Sequence, residues 1–498
     1  MPSPLRGLAL LALAASTVSA GTLSVPFVRR ADAIPPLTRR DGTVDLQALN
    51  NITGGGYYAE FAIGTPPQKL VFQLDTGSSD TWTNFVGTDL CKSREAQANG
   101  GLWCLPLFNP NSSSTFKTVD QGGFNITYLD QRHISGDYFN DSVTINGKEV
   151  KNQQLGLARK SVRQTGLMGL GFRANVAARK PYATIVDNLV SQGIIDAPVF
   201  SLYLVWPHPS SSVPRIIFSA GPELTMHALL QNDLDAKSGT ILFGGVDSQK
   251  YYGNLTTLPL LSDTQLSDTQ PKSNNITSYT VHLEGLDVDG VKLSNLDAAA
   301  ILDSGSTLTL LPSSQARDIS NYFGVKTIKE IPTPLIDCAY RESKGKGVTL
   351  KFKFNGKTIK VPVSEMAINA FPDDIQTVLK NSMYASRFSD WKNVCIFGIA
   401  SAYDYGIKSD KFVLLGDTFL RSAYVAYDMA NLQLGIAQAN ANTDKSNVIE
   451  IKKDAKDLPK AAGVAEKDSA AGNLGGPSMA AAAAGTLLMA VAAIVSTL

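Results

Sequence analysis

One short pattern occurs twice in this chain and constrains its fold more than any other feature. The first copy is Leu74-Asp75-Thr76-Gly77-Ser78-Ser79, and the second is Leu302-Asp303-Ser304-Gly305-Ser306-Thr307. Each follows a run of apolar residues that reads as a buried strand, and each places Asp, a small hydroxyl residue, Gly and Ser in the same order. A single copy is ordinary turn chemistry. Two copies far apart, both at strand ends, predict a duplicated lobe whose halves meet and bring two carboxylates to a shared seam.

Two carboxylates in one site cannot both ionise freely, and their apparent pKa values separate by roughly three units. Over a wide acidic range such a pair holds one proton. One carboxylate can then accept a proton from water while the other donates one to a carbonyl oxygen. This is general acid–base attack of water on an amide, with no covalent intermediate. Gly77 and Gly305 permit a tight turn and a close approach of substrate. The Thr76 and Ser304 hydroxyls can cross-link the two loops. Ser78 and Ser306 can hydrogen-bond the outer carboxylate oxygens.

On these residues the sequence resembles the pepsin-like aspartic proteases, over nearly all of Tyr57 to Ala439. Further matching pieces are Tyr58-Ala-Glu-Phe-Ala-Ile-Gly-Thr-Pro-Pro-Gln68, Ile126-Thr-Tyr128, Gly166-Leu-Met-Gly-Leu-Gly171, Ile241-Leu-Phe-Gly-Gly-Val-Asp247 and Leu414-Leu-Gly-Asp417. The resemblance implies a mostly β, bilobal fold with two pseudo-symmetric lobes, expected over 57–250 and 251–439, and a cleft between them. It implies that Asp75 and Asp303 are the catalytic pair, with Gly77, Gly305 and Ser306 against the substrate. Tyr128 would be the flap tyrosine that closes over substrate, and Trp82 the residue its hydroxyl meets. Peptide or protein substrates follow, with no metal, no organic cofactor and no nucleic acid, and the chain is expected to be a monomer. The 45 basic and 44 acidic residues also give no basic surface that would call for a nucleic acid. The other reading is a catalytically inactive binding protein on the same fold. After Tyr128 the flap runs Leu-Asp-Gln-Arg-His-Ile-Ser-Gly136, without the usual tip glycine and one residue longer than in pepsin.

The body reads as short strands separated by Gly, Asn, Asp and Ser turns, with Asn-Gly hairpins at Val143–Val150 and Lys353–Val361. Helices are expected over Thr184–Gln192, Ser314–Phe323 and Asp374–Lys380. Leu167–Gly171 and Leu414–Gly416 are expected to lie beneath the first and second Asp loops. The four cysteines allow three pairings. Cys91–Cys104 and Cys338–Cys395 keep each bond within one lobe and match the family. Sequons stand at Asn51, Asn111, Asn125, Asn140, Asn254 and Asn275.

The ends carry their own patterns. Residues 1–20 read as a secretory signal. Residues 21–40, poorly patterned and bearing Arg29-Arg30 and Arg39-Arg40, read as a pro-segment cut after Arg40. Val205 to Gln231 interrupts the family pattern, either as a surface insertion or as a retained intron. Residues 440–476 read as a flexible stalk. Residues 477–498 read as a GPI-signal tail with attachment at Ser469 or Asn473, a retained transmembrane helix being the competing reading. With the signal and the tail, the resemblance is closest to the fungal GPI-anchored yapsin-like proteases. The expected location is the outer face of the plasma membrane or the cell wall.

Overall fold

A computed structural model describes residues 21–30, 39–40, 43–44, 56–93, 104, 106–129, 131–204, 238–262 and 275–466, the last range apart from 330, 372, 382, 383, 442 and 444. The expected signal peptide, residues 1–20, the segment Val205–Gln231, Asn51, Ser469, Asn473 and the expected tail lie outside the described residues.

The fold is mostly β. A thirteen-stranded sheet draws strands from both halves of the chain. From the second half come Thr256–Pro259, Gln433–Gln438 and Ala423–Asp428. These join Val199–Leu204, Ser238–Phe243 and Leu23–Arg30, and the sheet continues through Gly56–Ile63, Gln68–Asp75, Gly166–Gly169 and Trp82–Asn84. It ends in the long hairpins Lys148–Lys160, His133–Ile145 and Lys117–Thr127. Strands from both halves buried in one sheet, rather than a loose linker, hold the two lobes at the seam.

Local chemistry sets the boundaries. The turn between His133–Ile145 and Lys148–Lys160 is Asn146-Gly147, both at positive φ, as a two-residue hairpin turn with the right twist requires. The helix Ile185–Ser191 starts at Thr184, whose hydroxyl accepts from the Asp187 amide while the Asp187 carboxylate accepts from the Thr184 amide. It buries Ile185, Val186 and Leu189. The helix Ser313–Phe323 buries Ala316, Ile319 and Phe323 along one stripe and stops at Gly324, φ +66°. The third helix spans Asp373–Asn381. Thr349–Phe354 alternates cleanly, with Leu350, Phe352 and Phe354 inward.

The topology around each aspartate repeats. Gly166–Gly169 runs parallel to Gln68–Asp75, pairing Gly169 with Asp75, and Trp82–Asn84 meets it antiparallel through Leu167. In the second half Phe412–Leu415 runs parallel to Ala298–Leu302, pairing Leu415 with Leu302, and Thr309–Leu311 meets it antiparallel through Leu414. Both disulfides, Cys91–Cys104 and Cys338–Cys395, are formed. By the chain-entropy argument, closing the shorter loop stabilises the fold by about 3 kcal/mol.

Two segments differ from the sequence expectation. Residues 21–40 are not poorly patterned throughout. Leu23–Arg30 is a strand that pairs with Ser238–Phe243 from Leu23↔Phe243 to Val28↔Ser238. Leu23, Val25 and Phe27 alternate into the core. Pro26 is tolerated because the second neighbour, Gly56–Ile63, pairs only from Val28 onward. The stalk reading also fails for 440–466, which packs on the body. Val448–Glu450 pairs with Gly245–Asp247, Ile451 and Leu458 are buried among Tyr251, Tyr424 and Val246, and the Val464 amide donates to the Tyr251 carbonyl at 2.9 Å. Two buried aliphatic side chains and a hydrogen-bonded edge outweigh the polar composition, each such side chain contributing roughly 1.5–3 kcal/mol.

Candidate active site

Both Asp loops sit where an apolar strand ends, and parallel backbone hydrogen bonds hold their bases. The Leu170 amide donates to the Asp75 carbonyl at 2.8 Å, and the Asp303 amide donates to the Leu415 carbonyl at 3.0 Å. The loops are joined reciprocally. Thr76 Oγ1 donates to the Leu302 carbonyl (2.9 Å) and accepts from the Ser304 amide (2.9 Å). Ser304 Oγ donates to the Leu74 carbonyl (3.1 Å) and accepts from the Thr76 amide (3.2 Å). All four groups are buried, so each loop fixes the other's position away from competing water.

The two carboxylates are held alike. The Gly77 amide donates to Asp75 Oδ1 and the Gly305 amide to Asp303 Oδ1, both at 2.8 Å. The Ser78 hydroxyl donates to Asp75 Oδ2, and the Ser306 hydroxyl to Asp303 Oδ2 at 2.6 Å. A Cβ at Gly77 would lie 2.6 Å from Asp303 Oδ1, and one at Gly305 would lie 2.2 Å from Asp75 Oδ1. Each glycine therefore leaves the space that the opposite carboxylate fills, which requires glycine at both positions.

Asp75 and Asp303 are 4% and 8% exposed. Burial pushes the Asp75 carboxyl up to about 7, with the Asp303 charge as the second cause, against the Ser78 and Gly77 hydrogen bonds. Asp75 thus keeps its proton well above the usual carboxylate range.

The flap hairpin is Lys117–Thr127 and His133–Ile145. Its tip closes with the Gln131 amide on the Tyr128 carbonyl and the Tyr128 amide on the Arg132 carbonyl, both 2.9 Å. Gln131 takes φ +64°, the conformation a tip glycine would adopt more easily. Trp82 Nε1 donates to the Tyr128 hydroxyl at 2.7 Å. Burial and the Asp75 charge raise the Tyr128 pKa, so the phenol stays protonated. His133 is exposed, its Nδ1 3.0 Å from the Thr127 hydroxyl.

Asp75, Thr76, Gly77, Ser78, Asp303, Ser304, Gly305 and Ser306 thus meet at one seam, and Tyr128 and Trp82 meet each other beside it. The four cysteines lie elsewhere. Among the sequons, Asn111, Asn125, Asn254 and Asn275 are exposed, whereas Asn140 is half-buried and donates to Asn152 Oδ1 at 2.9 Å.

Sequence reasoning missed Asp80. It is fully buried and accepts from the Tyr138 and Tyr182 hydroxyls, both 2.8 Å, and from the Ala177 amide at 2.6 Å. Burial raises its pKa despite these three donors. The hub underlies the cluster of Trp82, Phe124, Ile134 and Tyr138 against which Tyr128 packs. An acidic residue one place after Ser78-Ser79 and two before a tryptophan was the available clue.

The family of eukaryotic aspartyl proteases matches residues 56–221 and 223–439. The chain is 30% identical over 475 residues to the probable aspartic-type endopeptidase opsB of Aspergillus oryzae, covering 91% of this chain and 84% of the relative. It is 30% identical to candidapepsin of Candida tropicalis, covering 77% and 79% respectively. With the aspartic proteinase yapsin-3 of Saccharomyces cerevisiae it shares 29% identity over 80% of this chain and 68% of the relative. This chain therefore belongs to the eukaryotic aspartyl protease family and is an aspartic-type endopeptidase with yapsin-like relatives.

Proposed function

We propose that Asp75 and Asp303 are the catalytic pair of a secreted, surface-anchored endopeptidase that works at acidic pH. The observation that carries this is the reciprocal placement of the loops, each carboxylate filling the space the other loop's glycine leaves. A water between the two carboxylates loses a proton to Asp303 and attacks the peptide carbonyl. Asp75, which holds its proton at acidic pH, donates it to the carbonyl oxygen. The tetrahedral intermediate then collapses with proton transfer to the leaving amine. Tyr128 covers the extended peptide and keeps bulk water out.

The apolar N-terminus and tail support entry into the secretory pathway and GPI attachment at Ser469 or Asn473, with secreted or wall proteins as substrates. Exposed sequons suit that route. Dibasic processing after Arg40 would sever the chain beyond the strand Leu23–Arg30, which stays hydrogen-bonded in the main sheet until it is exchanged or released.

The test is cleavage of a mixed peptide library, from acidic to neutral pH and with and without pepstatin, by protein recovered from the surface of expressing cells. Acid-favoured, pepstatin-sensitive cleavage is the expected result. Folded, processed protein that cleaves nothing would instead be a binding protein on this fold. Phosphatidylinositol-specific phospholipase C should release the protein from those cells. Retention on cells, with a control anchor released, would contradict the lipid anchor.

A further inference from the structure

Gln73 is a polar side chain sealed into the seam, and the reaction itself does not use it. It stands two residues before Asp75 on the strand Gln68–Asp75, hence on the same strand face, and it is 6% exposed. Its Nε2 crosses the seam and donates to the Gly305 carbonyl at 3.1 Å. Its Oε1 accepts from Arg163 NH1 at 2.8 Å. A guanidinium can only donate and a carbonyl can only accept, so one orientation of the carboxamide satisfies both. The neighbouring strand leaves room for it. Gln73 pairs with Tyr58, and Gly56 lies diagonally across, where a Cβ would come 2.5 Å from Gln73 Nε2.

The bond across the seam falls on the peptide plane that joins Gly305 to Ser306. The Gly305 amide holds Asp303 Oδ1 at 2.8 Å, and the Ser306 hydroxyl holds Asp303 Oδ2 at 2.6 Å. Fixing this plane from the strand of the other aspartate therefore fixes the residues that supply both donors. The Thr76–Ser304 cross-link is made one residue earlier, at the Ser304 amide and hydroxyl. In the first loop the matching place is filled by Ile301, whose hydrocarbon side chain cannot donate to the Gly77 carbonyl. A buried amide held at both ends keeps its geometry without competition from water.

We propose that Gln73 is a positioning residue for the Asp303 carboxylate, which it holds in its reactive geometry through the Gly305 carbonyl. This rests on the endopeptidase reading of the same pair. It makes the loop that supplies the general base depend on a side chain from the loop that supplies the acid.

The experiment uses the enzyme as recovered from cells and one good peptide, with kcat and KM measured separately on protein shown to be folded. Gln73→Leu removes both ends of the carboxamide. Gln73→Glu keeps the acceptor for Arg163 and, when ionised, has no donor for Gly305. Both should lower kcat by about tenfold while KM stays within about twofold. As the pH falls and the new carboxyl takes up a proton, its O–H can replace the lost N–H. Gln73→Glu should then regain part of its loss relative to wild type, and Gln73→Leu should not. Gly56→Ala tests the same bond without touching Gln73, since its Cβ pushes Nε2 aside. It should lower kcat severalfold in the wild-type background and have less effect beside Gln73→Leu. Wild-type kcat in folded Gln73→Leu overturns the proposal. So does an ionised Gln73→Glu enzyme that matches wild type while Gln73→Leu fails, since the bond to Arg163, 4.9 Å from the Tyr128 ring centre, would then carry the effect. A rise in KM with kcat unchanged also overturns it, because Gln73 would then act on substrate binding. Wild-type cleavage that Asp75→Asn abolishes leaves the endopeptidase reading standing whichever way the Gln73 variants fall.

Discussion

The two Asp loops are near copies in backbone and hydrogen bonding, yet their surroundings differ. Two residues before each aspartate stand Gln73 and Ile301. Five residues after each stand Asp80 and Leu308, and seven after stand Trp82 and Leu310. The first loop is thus backed by a buried carboxylate with three donors, an indole that holds the flap tyrosine, and an amide that reaches Gly305. Around the second loop the counterparts are aliphatic, and two of them, Leu308 and Leu310, lie in a separate apolar cluster. The symmetric part builds a pair of carboxylates. The asymmetric part covers one side of it and gives that side polarity and charge.

The largest effects should fall on the symmetric part. Asp75→Asn and Asp303→Asn should each lower kcat by about a thousandfold or more, and the double variant should cost little beyond either single one, because the pair acts as a unit. Steady-state kinetics on one good peptide decide this. A large residual activity in either single variant would break the equivalence of the loops.

Asp80 carries the next effect and sharpens the contrast. Asp80→Leu places the second loop's residue in the first loop's setting and leaves the Tyr138 and Tyr182 hydroxyls and the Ala177 amide without their acceptor. The expected loss is about 3 kcal/mol or more, read by thermal or denaturant unfolding, and Asp80→Asn should lose less. The pH dependence has a definite sign. Asp75 and Asp80 both bind their protons more tightly folded than unfolded. Their contribution is therefore complete below the ordinary value of 3.8 and is lost as pH rises, for Asp75 through about 7. Unfolding curves should show the enzyme weakening from acidic to neutral pH, and Asp80→Asn should weaken less over that interval. Stability that rises with pH over that range would contradict both assignments.

Smaller effects test the cross-link. Thr76→Val and Ser304→Ala each remove one buried hydroxyl that donates once and accepts once. Each should cost about 2 kcal/mol of unfolding free energy, by similar amounts if the loops are mechanically alike. Smallest, and confined to the covered side, Tyr128→Phe removes the acceptor of the Trp82 N–H. It should lower kcat/KM by about tenfold while moving the unfolding midpoint little.

The symmetric part was legible because it was written twice. Strand, aspartate, small hydroxyl and glycine recur with their apolar supporting strands, and turn residues mark the hairpins and helix ends. The asymmetric part is made of contacts between residues far apart in sequence. Nothing near Asp80 announces Tyr138 and Tyr182, and nothing near Gln73 announces Arg163. The strand Leu23–Arg30 was hidden by Pro26 and a dibasic pair, although Leu23, Val25 and Phe27 alternate as a strand should. In 440–466 Ile451 and Leu458 are scattered among Lys, Asp and Ala. Their value as core residues depends on Tyr251 and Tyr424, which the local sequence does not contain.

The central claim is that the two carboxylates share a proton and that Asp75 holds it far above the usual carboxylate range. The most direct test is the pH profile of kcat/KM for a peptide with no titratable side chain, taken from strongly acidic to mildly alkaline conditions on enzyme shown to stay folded at each point. The account predicts a bell whose alkaline limb falls through about pH 7 as Asp75 loses its proton. Activity that held level through neutrality into alkaline pH would contradict it.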